Sequence, residues 1–398
     1  MSFDFDRIID RSGTAALKWD GRRSVFGTDD VLPLWVADMD FAAPDAVTQA
    51  LAARAAHPIY GYSLFADEVY EALIDWLRAR HQWPVERDWI LMAPGVVPSL
   101  HAAVLAFAEA GEGVIVQPPV YFPFFSAVTA TGRRLIENPL LFEDGRYRID
   151  FEHLERCAGD ARLLLLCSPH NPVGRVWREE ELRELLRIAR KHHLVVLSDE
   201  IHNDLIYPGQ RHIPLATLAD ESDDIVTAVA PSKTFNIPGL GLSALVASNP
   251  EQREKLRRAF DLLHVSGANP FSITAFAAAY GNSEHGAAWL DALMAYLAET
   301  RDEATATLAR EAPAIRAVAA EGTYLLWLDC RALGLDDAAL KHFFIEQARV
   351  GLSPGSLFGH GGSGFMRLNL GAPRALIREA TQRIVAAVQG LGLVRLSN

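Results

Sequence analysis

The 398-residue chain reads as an α/β protein: a large unit built on a mostly parallel sheet covered by helices on both faces, with a smaller α+β unit beside it. Three observations predict this. From residue 89 onward, short uninterrupted apolar runs alternate with amphipathic helical stretches. Each run ends in a turn rich in small residues or proline. Half of the residues are hydrophobic, enough to bury a large core, and the length suggests two or three domain-sized units.

Taken in order, residues 1–30 look like an arm with little periodicity. Leu32-Pro33-Leu34-Trp35-Val36-Ala37-Asp38-Met39-Asp40-Phe41 then mixes large apolar groups with two acids, and fits either a loop packed on the core or one facing a substrate. Pro44 opens an alanine-rich helix. Tyr60-Gly61-Tyr62-Ser63 is a turn before an amphipathic helix over 68–80, which carries Val69, Leu73, Trp76 and Leu77 at helical spacing. A strand over 89–92 leads to a tight turn over 93–98 and a helix over 99–109. Further strands are predicted over 113–117, 162–167, 194–197 and 225–229, with a charged helix over 179–193. A long helix over 287–311 bridges to the smaller unit. That unit has strands over 324–328 and 365–370, helices over 337–349 and 373–390, and a Gly-rich loop over 353–364. The expected division is a large unit over 45–286 and a small one from 1–44 and 287–398.

Composition removes several function classes. A net charge of −12 leaves no basic footprint for nucleic acid or an anionic membrane. Cys157, Cys167 and Cys330 are far apart and form no CxxC, so neither a disulfide framework nor a zinc site is expected. His101, His192, His193 and His285 have no metal-ligand spacing either. No apolar run approaches the ~18 residues of a membrane span, and residues 1–10 do not resemble a signal peptide. A reducing cytoplasm is the expected compartment. The glycines over 355–364 lack the Gly-Lys-Ser/Thr ending of a nucleotide loop and precede a strand instead of following one.

In an open α/β sheet, ligands bind outside the carboxyl ends of the strands. The residues just past those ends are Gly95 with Val96 and Val97, Tyr121, Asn171, Asp199 and Lys233. Each has an ordinary explanation. Asn171 precedes a proline and suits a turn, Asp199 suits a helix cap, and Tyr121 suits packing. Lys233, in Ala230-Pro231-Ser232-Lys233-Thr234-Phe235-Asn236-Ile237-Pro238-Gly239-Leu240, suits a solvated turn. Together they fit one chemistry. A lysine amine forms a Schiff base with an aldehyde. A carboxylate keeps a pyridine nitrogen protonated, an aromatic side chain stacks on the ring, and an amide donor fixes its tilt. Backbone amides at a helix N-terminus hold a phosphate. The cofactor so described is pyridoxal 5'-phosphate.

Ser168-Pro169-His170-Asn171-Pro172-Val173-Gly174, Ser198-Asp199-Glu200-Ile201-His202 and Pro231-Ser232-Lys233-Thr234-Phe235-Asn236 resemble the asparagine, aspartate and lysine motifs of the class I/II aminotransferase superfamily. The resemblance covers nearly the whole chain. It implies the aspartate-aminotransferase-like fold (pyridoxal-phosphate fold type I), with a mostly parallel seven-stranded sheet. Phe365-Met366-Arg367-Leu368-Asn369-Leu370-Gly371 resembles the strand whose arginine takes the substrate α-carboxylate, which Asn171 also contacts. Strand alternation puts Arg367 and Asn369 on one face, and the planar fork of arginine suits a carboxylate. Trp35-Val36-Ala37-Asp38-Met39-Asp40-Phe41 and Tyr60-Gly61-Tyr62-Ser63 look most like the MalY/PatB-like cystathionine β-lyase branch, the C–S lyases of sulfur amino-acid metabolism and methionine biosynthesis.

By that resemblance Lys233, Asp199 and Tyr121 are catalytic. Gly95, Val96, Val97, Tyr121, Asn171, Asp199, His202, Ser232 and Lys233 hold the cofactor, with Tyr62 from the partner subunit of a homodimer with shared active sites. Three positions depart from the broad aminotransferase pattern. A serine often stands where Ala230 is, and a phosphate-binding arginine where Gly241 is. The tyrosine that usually follows the aspartate is His202, expected near the cofactor's phenolate oxygen or else as a hydrogen-bonded core residue. The expected reaction is α,β-elimination of cystathionine or a related S-substituted cysteine to a thiol, pyruvate and ammonia. The alternatives are an aminotransferase using the same site, and a pyridoxal-phosphate-binding regulator of a transcription factor.

Overall fold

Seven strands form the central sheet: β1 (Ile90–Ala93), β2 (Gly113–Val116), β3 (Arg134–Glu137), β4 (Ala161–Cys167), β5 (Val195–Asp199), β6 (Asp224–Val229) and β7 (Ser243–Val246). They lie side by side in the order β1-β7-β6-β5-β4-β2-β3. All neighbours run parallel except β7, which is antiparallel to both β1 and β6. The computed structural model describes residues 3–220, 222–265, 269–281 and 283–392.

Alternation along β4 explains why the sheet is buried on both faces. Leu163, Leu165 and Cys167 enter one apolar cluster, and Leu164 and Leu166 enter the opposite one. The first cluster includes residues of helices Val96–Phe107 and Pro250–Leu263, the second those of Phe151–Ala158 and Glu179–Lys191. Helix Glu179–Lys191 buries Leu182, Leu185, Leu186 and Ala189 as one stripe. It places glutamates in its first turn and basic residues in its last, matching the helix dipole. Helix Asp67–His81 buries Leu73, Trp76 and Leu77 in a third cluster. Burial stabilises each such side chain by about 1.5–3 kcal/mol.

Four antiparallel strands make a second sheet: β8 (Arg316–Ala317), β9 (Leu325–Asp329), β10 (Ser353–Pro354) and β11 (Phe365–Asn369), in the order β8-β9-β11-β10. Helix Arg374–Gly390 follows β11. We propose a division into units over 45–286 and over 1–44 with 287–398; the long helix Ser283–Glu311 spans the second boundary.

The structure differs from the sequence-based expectation at several points. The helix expected from residue 99 begins at Val96, because Gly95 turns the chain sharply and Pro98 is tolerated in a first turn. The arm contains two short helices, Leu17–Asp20 and Arg22–Phe26. Strands β3 and β7 were not expected: Arg134-Leu135-Ile136-Glu137 has a charged residue at each end of two apolar ones, and Ser243-Ala244-Leu245-Val246 begins with two small residues. The helix expected over 337–349 is helical over Asp337–His342 and then widens into a π turn over Phe343–Gln347. The loop over 353–364 includes β10 and a 3-10 turn, Gly355–Phe358. Among the described residues, no helix is long and apolar enough to cross a membrane.

Candidate active site

One end of the central sheet opens into a cavity of about 230 Å³. Gly95, Val96, Val97, Tyr121, Asn171, Asp199, His202, Ser232 and Lys233 all line it.

The loop after β1 supplies the helix N-terminus. Gly95 has φ 152° and ψ 165°, a conformation almost confined to glycine. It directs the chain into the helix Val96–Phe107. The amides of Val96 and Val97 belong to a first turn that has no intrahelical acceptors, and Pro98 contributes no N–H. That end of the helix favours an anion.

Asp199 ends β5 and is buried. Burial pushes its carboxyl up to about 7, against the Ile201 amide that donates to Oδ1 at 3.1 Å, with Glu200 raising it and Lys233 lowering it. The bond to Ile201 makes a local turn; no helix follows for Asp199 to cap. His202 is buried next to it, and burial, with Lys233 and Arg367, lowers it to about 3. Its ring is therefore neutral, and Nδ1 has no partner within the protein. A neutral imidazole with one unsatisfied nitrogen suits an oxygen of a bound molecule better than a closed core.

Lys233 sits in the short helix Pro231–Thr234 directly after β6. Burial lowers its amine to about 8, helped by the Arg367 charge and opposed by Asp38 and Asp199. Its Nζ donates to the Ala37 carbonyl at 2.6 Å. The next residue, Thr234, donates to buried Asp204 at 2.8 Å. Asp204 also accepts from His81 at 2.8 Å and from Trp76 at 3.2 Å, so helix Asp67–His81 anchors the lysine turn.

Arg367 comes from β11 of the second sheet. Nη1 donates to Asn171 Oδ1 at 3.0 Å, and Nη2 to the Trp35 carbonyl at 2.9 Å and to Ser353 Oγ at 3.3 Å. Burial lowers it only to about 10, so it stays a cation. Among the described residues no carboxylate pairs with it, and Nε has no partner. A buried cation without an anion is costly, and a ligand carboxylate would relieve that cost. Asn369 lies on the same face as Arg367. It donates to the Val36 and Asp38 carbonyls at 2.5 and 2.6 Å, while Met366 and Leu368 enter the core.

Tyr121 is partly buried, its hydroxyl pushed up by burial, and its amide donates to the Asn171 carbonyl at 3.1 Å. Ser232 lines the wall beside Lys233. Ala230 and Gly241 line it too. A Cβ at Gly241 would stand 3.0 Å from the Pro94 carbonyl, so a longer residue there needs the backbone to shift. Tyr62 is not in this cavity. Its side chain is fully exposed between helices Asp45–Ala56 and Asp67–His81.

The residues 35–41 were the ambiguous loop, and they form a strap over the site. Sequence reasoning missed the Trp35 and Ala37 carbonyls, Ser353 and Tyr324, whose hydroxyl donates to the Ala37 carbonyl at 2.8 Å. Backbone carbonyls leave no mark on residue type. Tyr324 carried only the signal of a strand start.

The donor set fits pyridoxal 5'-phosphate: a buried amine of lowered basicity, a buried carboxyl, an orphaned imidazole nitrogen and a helix N-terminus around one cavity. The fold is that of the aspartate-aminotransferase-like pyridoxal-phosphate proteins, fold type I. Residues 29–384 match the family described as aminotransferase class I and II, and the chain belongs to that family. It is 44% identical to cystathionine beta-lyase PatB of Bacillus subtilis, over 97% of this chain and 100% of that one. The crystal structure of cystalysin from Treponema denticola, which contains a pyridoxal 5'-phosphate cofactor, is 38% identical. It covers 98% of this chain and 100% of its own, with a TM-score of 0.93. The pyridoxal-phosphate-bound C–S lyase from Staphylococcus hominis is 32% identical over 98% of both chains, with a TM-score of 0.89. Among the described residues no cluster suits a metal ion.

Proposed function

We propose that the chain is a pyridoxal-phosphate-dependent C–S β-lyase. It converts cystathionine or a related S-substituted cysteine into a thiol, pyruvate and ammonia, within sulfur amino-acid metabolism. The observation that carries this is Lys233: a buried amine lowered to about 8, held 2.6 Å from the Ala37 carbonyl and lining the same cavity as Asp199. The likeness to PatB and to the Staphylococcus hominis enzyme supports the lyase over other chemistries of the family.

Bound pyridoxal phosphate supplies an electron sink for breaking bonds at the substrate's Cα. Each residue then has a task of its own. Arg367 receives the α-carboxylate and, with Asn171, fixes the amino acid's orientation. Lys233, once its nitrogen is free, takes the Cα proton. Its lowered basicity leaves a sizeable neutral fraction near neutral pH, where an ordinary lysine has almost none. Asp199, as a carboxylate, would hold a positive charge at the cofactor's ring nitrogen, and that charge would in turn oppose the burial that keeps the carboxyl protonated. His202, neutral, would offer its free nitrogen to an oxygen of the cofactor ring, and Tyr121 would pack against that ring. Val96, Val97, Ser232 and the partner's Tyr62 hold the phosphate in a homodimer, and the cytoplasm is the proposed compartment.

Incubation with cystathionine and no keto-acid acceptor tests this. Sustained release of pyruvate with free thiol is expected. A single half-turnover that resumes only after a keto acid is added would make the chain an aminotransferase. Borohydride reduction that fixes the cofactor to any lysine other than Lys233 would remove the basis of the proposal.

A further inference from the structure

The strap 35–41 makes two sets of contacts. At the active site, the Trp35 carbonyl accepts from Arg367 and, at 3.0 Å, from Ser353 Oγ, and the Ala37 carbonyl accepts from Lys233 and Tyr324. Its acids face a separate cavity with Arg11. Arg11 grips Asp38 with both Nη atoms, at 3.2 and 2.9 Å, and reaches Asp40 at 2.7 Å. Lys18 bonds Asp40 Oδ2 at 2.7 Å and the Asp38 carbonyl at 3.3 Å, and Trp19 Nε1 donates to Asp40 Oδ1 at 3.0 Å.

Lys18 is fully buried and Asp40 nearly so. Taking such a pair out of water is expensive, and apolar side chains would anchor a loop at lower cost. What the ion cluster adds is direction. Every carboxylate oxygen of Asp38 and Asp40 has a donor, and a fully satisfied buried network holds one geometry. Arg11 and Lys18 offset the two carboxylates, so the cluster has no net charge. The two cations at the active site, Lys233 and Arg367, depend on carbonyls of the same strap for their hydrogen bonds.

We propose that Arg11 and Lys18 are positioning residues for the reaction: through Asp38 and Asp40 they set the register of the strap, and so the placement of Lys233 and Arg367. This rests on the roles given above to Lys233 and Arg367. Neither Arg11 nor Lys18 touches the active-site cavity.

The test uses the holoenzyme and 2-aminoisobutyrate, an amino acid with no Cα hydrogen, titrated by the absorption of the bound cofactor. Arg11→Ala and Asp38→Asn should each weaken its binding about ten- to hundredfold, the size expected when a charged hydrogen bond to the ligand is lost. Arg11→Lys, which keeps the charge without the fork, should weaken it less. The double variant Arg11→Ala/Asp38→Asn should be no worse than the poorer single one, because both cut one link. The same variants should raise KM for cystathionine through Arg367 and lower kcat through Lys233. Affinity unchanged within about twofold in folded variants with a lowered Tm would overturn the proposal, leaving the cluster a stabilising feature. Losses that add in the double variant would overturn it as well. If Arg11→Ala does not fold, Asp38→Asn and Arg11→Lys preserve the comparison, as both keep the size of the side chain. If unaltered holoenzyme shows no absorption change with 2-aminoisobutyrate, the amino-acid-binding reading fails and the proposal goes with it. That outcome is distinct from a failure of the strap.

Discussion

Arg367 Nη1 donates to Asn171 Oδ1 at 3.0 Å, so a strand of the four-stranded sheet and the loop leaving β4 meet through one charged hydrogen bond. The bond sets the guanidinium plane before any substrate arrives. Asn171→Ala removes the acceptor and leaves a buried N–H without a partner. Hydrogen bonds to charged groups contribute about 1.5–3 kcal/mol. Steady-state kinetics with cystathionine should therefore show kcat/KM lower by roughly ten- to a hundredfold, mostly through KM. An unchanged KM would mean the pair does not orient the substrate.

Asp199 and Lys233 make the stability of the cofactor-free protein depend on pH in opposite senses. The folded carboxyl of Asp199 is raised from 3.8 to about 7, so the folded chain keeps a proton that the unfolded chain has lost. Stability therefore falls as pH rises from about 4 through 7. The folded amine of Lys233 is lowered from 10.5 to about 8, so the unfolded chain binds a proton the folded chain lacks between those values. Stability therefore rises again from about pH 8 to 10.5. The Asp199 effect is about 4 kcal/mol and the Lys233 effect about 3 kcal/mol. Urea unfolding across pH 4–10 checks it: Asp199→Asn should flatten the acid limb and Lys233→Met the alkaline one. A limb that persists in its variant would show that the residue is not the source.

Gly95→Ala probes the phosphate turn. Space is available, since a Cβ would meet only Pro98 Cδ at 3.6 Å. The cost is conformational, about 1–3 kcal/mol for a non-glycine residue at φ 152°. If the turn relaxes to avoid it, the Val96 and Val97 amides turn away from the anion. Cofactor titration should show affinity reduced by about tenfold or more. Unchanged affinity would move the phosphate site elsewhere.

Tyr62 is fully exposed on a single chain, so a mixing experiment can tell whether it serves a second copy. Lys233→Ala and Tyr62→Ala chains are each expected to be poorly active. In a mixed dimer with shared sites, one site carries both defects and the other neither. Mixing after partial unfolding should therefore restore activity. If Tyr62 worked within its own chain, every site would remain defective and mixing would restore nothing.

Much of this site was legible in the residues because its chemistry is tied to strand ends. Apolar runs mark the strands, and Asn171, Asp199 and Lys233 are the polar residues that break them. Alternation along 365–370 correctly paired Arg367 with Asn369. What stayed hidden depends on partners distant in sequence. Strand β7 begins with two small residues and is defined by its pairing with β1 and β6. Lys18 lies in an arm with little periodicity, and its burial follows from Asp38 and Asp40 about twenty residues on. The strap's carbonyls act through backbone atoms that every residue shares.

The same strap sets the order in which the protein can become active during synthesis. Asn369 Nδ2 bonds the Val36 carbonyl across a separation of 333 residues, and Arg367 bonds the Trp35 carbonyl across 332. At about 5–20 residues per second, a ribosome needs on the order of 15 to 70 seconds between the two segments. Throughout that interval the chain already has an N-terminal stretch carrying Leu34, Trp35, Met39 and Phe41, with no second sheet to receive it. The strands that bear Asp199 and Lys233 emerge in the meantime. A nascent chain can therefore build much of this cavity before Arg367, the residue proposed to take the substrate carboxylate, has been made. Among the described residues the last strand to leave the ribosome is Phe365–Asn369, which carries Arg367 and Asn369 to the strap.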